Sequence, residues 1–331
     1  MRRVALSVAL ALGAGLAGGG GEASAAASAP HSAGQVTYGT WGDSALPRRW
    51  RLFVPTRRDA ARPAPLLVLL HGCTQDADDL ARGTRMDEVA ERDGFAVLYP
   101  EQPAAANGLK CWNWFDAAHT RRDAGEPALL AGLIARVAAE QKADPARVHV
   151  AGISAGGAMA LILASSYPER FASVTSASGM PVGAVTSAAQ AWQVMKAGAT
   201  VEQSSPQAVR ERMGAHARAL PLLVLHGGAD ATVVPANGRR AAEQWAAAIG
   251  ATPREPRTVP ADGATRGWQQ LGWRDATGRD VVEYVEIAGL GHAWSGGSKE
   301  GTYSDATGPA ASDMVAAFIA RHTLPTAVRK E

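Results

Sequence analysis

The chain has little excess charge and no dense basic segment. Its 33 Lys and Arg residues nearly balance 31 Asp and Glu residues, so the formal net charge is +2. A nucleic-acid partner is therefore not indicated, because proteins that bind nucleic acids cluster cationic side chains on one face. Outside the N-terminus no apolar run reaches transmembrane length. The His and acidic residues also lack the spacing of a metal-ligand set, so we expect neither a metal nor an organic cofactor.

Cysteine is scarce, with only Cys73 and Cys111 in 331 residues. Both fall in predicted loops at the carboxyl ends of strands. An even count in a chain with an export signal favours one disulfide between them. The alternative is two unpaired thiols. In either case the chain is not a disulfide-rich scaffold, and 331 residues are enough for one large α/β domain.

The N-terminus has the parts of a secretory signal peptide. A basic head at residues 1–3 precedes an apolar core at 4–17, and Ala23-Ser24-Ala25 has the pattern of a cleavage site. The apolar core is too short for a membrane anchor. We therefore predict a signal peptide at 1–25, a disordered mature N-terminus at 26–36 and one domain at 37–325. Export would leave the protein in the periplasm or the medium.

The most informative stretch is G-x-S-x-G at residues 152–156. An apolar run at 148–153 predicts a buried strand, and a helical pattern covers 155–166. A serine on such a strand–turn–helix stands exposed at the head of the helix, where the dipole favours negative charge. Ser154 is therefore the candidate nucleophile, although the bare motif occurs by chance in a glycine-rich chain.

Strands alternate with helices along the rest of the chain, which predicts a mostly parallel sheet with helices on both faces. An antiparallel pair is expected at one edge. The predicted strands are 36–41, 49–54, 65–70, 95–100, 148–153, 173–178 and 281–287, with a further buried strand and its exit loop at 222–230. The predicted helices are 76–92, 126–141, 155–166, 238–249 and 310–322, with a short helix starting at Pro206.

A nucleophilic serine needs a histidine base and an acid that orients it. In this type of fold they follow in the order serine, acid, histidine. His292 lies in a glycine-flanked loop after a strand, whereas His322 falls near the end of the last helix. Asp230 directly follows a buried strand, and Asp262 is the reserve candidate. We predict Asp230 and His292 as the partners.

The oxyanion of an acyl-transfer intermediate needs two backbone N–H donors. One is expected from Ala155, which follows the nucleophile. The other is expected from the loop after the first core strand, where Cys73 is our candidate. A bridge from Cys73 to Cys111 would brace this loop and bring the loop of Trp112 and Trp114 over the site.

At these residues the sequence resembles the polyhydroxybutyrate depolymerase family of α/β-hydrolase esterases, which also groups with feruloyl and acetylxylan esterases. The resemblance implies an α/β-hydrolase fold, a triad of Ser154, Asp230 and His292, and Cys73 at the oxyanion hole. It also implies that Trp294 lines the substrate crevice, where we further expect Trp114 and Thr74. The matching stretches are LLHGCTQ at 69–75, CWNWF at 111–115, GISAGG at 152–157, HGGADATVVPAN at 226–237 and GHAWSGG at 291–297.

Three hypotheses about function follow. The first is a secreted, monomeric serine esterase that acts on polyhydroxybutyrate-like polyesters or their oligomers. No linker and separate polymer-binding domain is visible, so amorphous polymer, oligomers or soluble esters are the expected substrates. The second is a feruloyl or acetylxylan esterase acting on plant cell-wall esters. The third, a non-catalytic binding protein on the same fold, is disfavoured by the complete candidate triad. Peptidase and thioesterase activities use the same triad and stay open.

Overall fold

The computed structural model describes residues 34–57 and 62–325 of the chain. The predicted signal peptide lies outside these residues. Ten strands form one mixed sheet in the order β1-β2-β4-β3-β5-β6-β7-β10-β9-β8, and β11 and β12 form a small parallel pair. The strands are β1 Gln35–Trp41, β2 Arg48–Val54, β3 Leu66–Leu70, β4 Ala96–Pro100, β5 Val148–Ile153, β6 Ser173–Ala177, β7 Leu222–Gly227, β8 Thr252–Val259, β9 Trp268–Arg274, β10 Asp280–Ile287, β11 Trp294–Ser295 and β12 Ser304–Asp305.

The centre of the sheet is parallel and buried on both faces. Strands β4, β3, β5, β6, β7 and β10 pair in parallel. Successive side chains of a strand point to opposite faces. Leu66, Val68 and Leu70 accordingly join one core cluster, whereas Leu67 and Leu69 join the other. The resulting double-sided core explains why these strands read as unbroken apolar runs.

Helices cover both faces of the sheet, as the sequence predicts. The strands β3, β5, β6, β7 and β10 end at the same edge, so their exit loops converge there. The helices are α1 Ala77–Thr84, α2 Met86–Asp93, α3 Gly125–Glu140, α4 Ala155–Ser166, α5 Ala188–Ala197, α6 Pro206–Met213, α7 Pro235–Ala248 and α8 Ala311–Arg321. Among the residues that the structure describes, no helix is long and apolar enough to cross a membrane.

The structure differs from the predicted local structure in three places. The helix predicted at 76–92 is divided into α1 and α2, because Arg85 adopts a left-handed conformation with φ of 54°. The segment predicted to be disordered at 26–36 reaches into β1, since Gln35 pairs with Val54; residues 26–33 of it lie outside the described residues. Strands β8 and β9 were not predicted, and they extend the sheet by antiparallel pairing beyond β10.

Candidate active site

Ser154 lies between β5 and α4 in a conformation that non-glycine residues rarely adopt, with φ of 57° and ψ of −121°. The turn is possible because the neighbouring positions are glycine. A Cβ at Gly152 would lie 2.3 Å from the carbonyl oxygen of Gly156, and one at Gly156 would lie 2.2 Å from that of Leu70. The Ser154 amide donates to the Ala177 carbonyl at 2.8 Å. The strained backbone is thus held from both sides, and Ser154 stays partly exposed at the helix head.

Asp230 lies in the exit loop of β7 with only 3% of its surface exposed. Its Oδ1 accepts hydrogen bonds from the amides of Thr232 and Val233, both at 2.9 Å. Burial alone would raise the pKa of this carboxyl group. Hydrogen bonds from His226 and His292, together with the Val233 amide, outweigh burial and hold the pKa of Asp230 well below its usual range. Asp230 is therefore a carboxylate at neutral pH.

His292 lies in the exit loop of β10, the strand next to β7 in the sheet. Its Nδ1 lies 2.7 Å from Oδ2 of Asp230, and 9% of its side chain is exposed. A carboxylate can only accept, so Nδ1 carries the proton and donates it to Asp230. This tautomer leaves Nε2 unprotonated, which is the state that a general base needs. The predicted acid and base are thus brought together.

A second histidine, for which no role was predicted, contacts the same carboxylate. His226 is buried at the end of β7, and its Nε2 donates to the Val233 carbonyl at 2.8 Å. The same atom lies 3.5 Å from Oδ2 of Asp230. A Cβ at Gly238 would lie 2.2 Å from Nδ1 of His226, so α7 packs directly on the ring. His226 therefore fixes the Asp230 loop from inside the core.

The loop after β3 abuts the nucleophile, since a Cβ at Gly72 would lie 3.4 Å from Cβ of Ser154. The Gly72 amide donates to Oε1 of Gln75 at 2.9 Å, and the Thr74 amide donates to the Leu109 carbonyl at 2.6 Å. These two bonds tie the loop down on either side of residue 73.

His71 sets the direction of the peptide group between Gly72 and Cys73. Its Nε2 accepts from the Gln102 amide at 2.9 Å, so its Nδ1 is protonated and donates to the Gly72 carbonyl at 2.7 Å. Burial lowers the pKa of His71 to about 4, which keeps it in this neutral form. In a trans peptide the N–H points opposite to the C=O. The Cys73 N–H is thereby turned away from His71.

The Cys73 and Ala155 amides are the two predicted oxyanion donors. Across residues 34–57 and 62–325, neither N–H donates a hydrogen bond within the protein. Ala155 is the first residue of α4, where the N–H groups of a helix have no partner in the preceding turn. Their role in catalysis remains a prediction, but both are available to an incoming anion.

Cys73 and Cys111 form a disulfide, as expected. The bridge joins the loop after β3 to the aromatic loop that follows β4. Glu126 anchors that second loop from α3 by accepting from the Asn113 amide at 2.8 Å and from the Asn113 side chain at 2.7 Å. Trp114 is mostly buried there and meets Phe115 edge to face. Its ring therefore offers a substrate only a small surface.

The structure places Trp294 differently from the expected crevice wall. Only 2% of its surface is exposed, and its indole N–H donates to Oγ of Ser312 at 3.0 Å. The ring belongs to the core cluster beneath α8. Trp294 is therefore a core residue. Thr74 remains exposed at the site, and the exposed aromatic residue next to His292 is Tyr303, which the sequence analysis did not single out.

The reserve candidates do not join the site. Asp262 accepts hydrogen bonds from the amides of Ala264 and Thr265, which makes it the stabilising residue of its own turn. His322 follows α8 and packs on Phe318 with ring centroids 4.4 Å apart. No group of three or more metal-ligating side chains occurs in the part of the chain that the structure describes.

Comparison with known proteins finds similarity to esterases. The family model described as esterase PHB depolymerase matches residues 49–255. Poly(3-hydroxyalkanoate) depolymerase C of Paucimonas lemoignei is 32% identical over 69% of this chain, although the match spans only 55% of that relative. Acetylxylan esterase A of Emericella nidulans is 29% identical over 80% of this chain and 85% of its own length.

A solved structure shares the architecture. The acetyl xylan esterase from Aspergillus awamori superimposes with a TM-score of 0.66, at 22% identity, over 78% of this chain and 94% of that chain. At this identity the likeness concerns the fold, and it agrees with the predicted α/β-hydrolase arrangement.

Proposed function

Since the chain belongs to the esterase family of PHB depolymerases, we propose that it hydrolyses carboxylic esters with Ser154 as nucleophile, His292 as general base and Asp230 as orienting acid. The observation that carries the proposal is the 2.7 Å contact between Nδ1 of His292 and the buried Asp230 carboxylate. Both residues lie on exit loops at the edge of the sheet where β5 ends in the strained serine turn. Such a contact fixes the tautomer that a serine nucleophile requires.

The proposed reaction has two halves. His292 accepts the Ser154 proton through Nε2 while Oγ attacks the ester carbonyl, and the Cys73 and Ala155 amides stabilise the oxyanion. His292 then gives this proton to the leaving alcohol, which departs and leaves an acyl-serine. Water attacks the acyl-enzyme by the same route in reverse, releasing the acid and restoring the serine hydroxyl. Asp230 stays ionised throughout and stabilises the imidazolium that forms in each half.

The proposed substrate is a polyhydroxybutyrate-like polyester or its oligomers. The family match and the Paucimonas lemoignei relative favour it. The alternative is an ester of the plant cell wall, as in acetylxylan or feruloyl esterases. It is favoured by the greater length over which the acetylxylan esterase of Emericella nidulans matches.

We further propose that the protein acts outside the cytoplasm. The Cys73–Cys111 disulfide supports this proposal, because disulfides persist mainly in oxidising compartments. The predicted signal peptide at 1–25 would provide the route. Sequencing the N-terminus of the protein recovered from the medium or periplasm tests the export, and a start near residue 26 is expected.

The decisive experiment measures product release from amorphous polyhydroxybutyrate, acetylated xylan and methyl ferulate in parallel. The mature protein is compared with Ser154→Ala, which should lose at least about 10³-fold in rate because it lacks the nucleophile. Hydroxybutyrate release that requires Ser154 would support the polyester assignment. Release of acetate or ferulate alone would move the substrate to plant esters. Ester hydrolysis that survives in Ser154→Ala would refute the proposed mechanism.

A further inference from the structure

Tyr303 is an exposed aromatic residue on a rigid backbone. Tyr303 is 43% exposed, and its φ of 51° is unusual for tyrosine. The Tyr303 carbonyl accepts from the Trp294 amide at 2.7 Å. The preceding Thr302 amide donates to Oδ1 of Asp79 at 3.0 Å, and Oγ of Ser304 donates to the Gly83 carbonyl at 2.7 Å. The contacts of Thr302 and Ser304 with α1 thus hold the backbone of Tyr303 in its strained conformation. Strained residues persist only where the surrounding structure holds them, and they cluster at functional sites.

The Tyr303 side chain connects the two loops that carry the proposed chemistry. Its ring meets His292 edge to face, with centroids 6.0 Å apart and planes at 80°. Its hydroxyl lies 3.3 Å from Oγ1 of Thr74, the residue after Cys73. Tyr303 therefore bridges the histidine loop and the proposed oxyanion loop, and it remains open to solvent.

The direction of the Tyr303–Thr74 hydrogen bond follows from the protons available. The Thr74 hydroxyl donates its single proton to the Cys73 carbonyl at 2.6 Å. Tyr303 must therefore be the donor to Thr74. At 3.3 Å this bond is longer than the usual value of about 2.7–2.8 Å for O–H···O, and it is correspondingly weak. A substrate oxygen could replace Thr74 as acceptor at little cost.

The position of Tyr303 indicates which part of an ester it would meet. In the proposed mechanism His292 must reach the leaving oxygen in order to protonate it. A side chain packed against the His292 ring consequently stands beside the alcohol part of the ester. Thr74, which the Tyr303 hydroxyl contacts, follows Cys73, the donor proposed for the carbonyl oxygen.

We propose that Tyr303 determines specificity for esters whose alcohol part carries a further oxygen acceptor, through a hydrogen bond from its hydroxyl to that oxygen. The next ester group of a 3-hydroxyacyl oligomer is such an acceptor, and so is a neighbouring hydroxyl of an acetylated sugar. A simple alkyl alcohol offers none. The inference rests on the proposed esterase function and deepens it, because it names the substrate feature that the site selects.

The test compares a 3-hydroxybutyrate trimer, in which the alcohol part of each ester bond carries a further carbonyl oxygen, with ethyl 3-hydroxybutyrate, in which the alcohol part carries none. Tyr303→Phe keeps the ring against His292 and removes only the hydroxyl. We expect kcat/KM for the trimer to fall by about two- to tenfold, as for the loss of one hydrogen bond, mainly through KM. Hydrolysis of the ethyl ester should change by less than about twofold. If acetylated xylan is the substrate, an acetylated xylo-oligomer and ethyl acetate form the equivalent pair.

Two controls make the outcomes distinguishable. Tyr38→Phe removes the hydroxyl of another exposed tyrosine, which donates to Asp78 at 2.7 Å, and it should leave both substrates unaffected. Ser154→Ala should abolish both activities, and its failure to do so would refute the proposed function rather than this inference. An equal loss on both substrates in Tyr303→Phe, or a shift of its pH–rate profile, would show a role in holding His292 and overturn the inference. Unchanged selectivity would overturn it as well.

Discussion

Removing the Cys73–Cys111 disulfide by the double substitution Cys73→Ala and Cys111→Ala should destabilise the fold by about 4 kcal/mol. The two cysteines are separated by 38 residues. A cross-link that closes a loop of this length lowers the conformational entropy of the unfolded chain. By chain-entropy theory this raises the free energy of the unfolded state by about 4 kcal/mol. Equilibrium urea unfolding of the mature protein measures this difference.

The same substitution should affect the rate much less than the stability. Three hydrogen bonds still hold the loop after β3: from His71 to the Gly72 carbonyl, from the Gly72 amide to Gln75, and from the Thr74 amide to Leu109. Alanine at position 73 also retains the N–H. We therefore expect the turnover rate to fall by less than about tenfold, compared with the roughly 10²–10³-fold that the loss of an oxyanion donor costs.

A thiol reductant provides the matched control. It should lower the urea midpoint of the wild-type protein to that of the double variant, and leave the variant itself unchanged. A stability loss below about 1 kcal/mol would refute the assignment of the bridge as a constraint on the unfolded chain. If the turnover rate instead dropped by about two orders of magnitude or more, the disulfide rather than the hydrogen bonds would be what positions the Cys73 amide.

Two further predictions concern the stability of the folded domain. Gly156→Ala should destabilise it by about 1–3 kcal/mol or more, because the new Cβ would lie 2.2 Å from the Leu70 carbonyl oxygen. The control is Gly108→Ala, whose new Cβ would have no atom within 4 Å and which should be nearly neutral in the same urea titration. The free energy of unfolding should also fall as the pH drops below about 6.5: burial lowers the pKa of His149 to about 3, so the unfolded chain takes up its proton first. Asp230, whose folded pKa is also depressed, should add to the loss below about pH 4. Unfolding measured across this range should be less pH-dependent in His149→Asn, and an unchanged profile in that variant would contradict the argument.

The nucleophile unit could be predicted from sequence because its signals are local. The apolar run of β5, the glycines at 152 and 156 and the helical pattern of α4 are each encoded within a few residues. The predicted bounds of both elements agree with the structure. The proximity of Asp230 and His292 also followed from sequence, since parallel strands deliver their exit loops to one edge of the sheet.

Strand β8 was missed because it has no buried apolar face. Strand β9 packs Leu271 and Trp273 on the core, but both are only partly buried. Most of β8 is exposed on both sides, so it has no alternation of apolar and polar residues. It is held by antiparallel pairing with β9, which in turn pairs with β10. Backbone pairing of this kind leaves little trace in the side-chain pattern on which sequence analysis depends.

The contrast between buried Trp294 and exposed Tyr303 shows why exposure beside His292 is hard to predict from sequence. Both are aromatic residues close to His292 in sequence, and motif position favours Trp294. Burial is decided by distant partners: Trp294 donates to Ser312 on α8, while the backbone next to Tyr303 is bound by Asp79, 223 residues before Thr302 in the chain. Which of the two aromatic side chains is exposed beside His292 therefore depends on how α1 and α8 pack around the loop. A substitution of Asp79, which is far from His292 in sequence, would therefore alter the backbone that carries Tyr303.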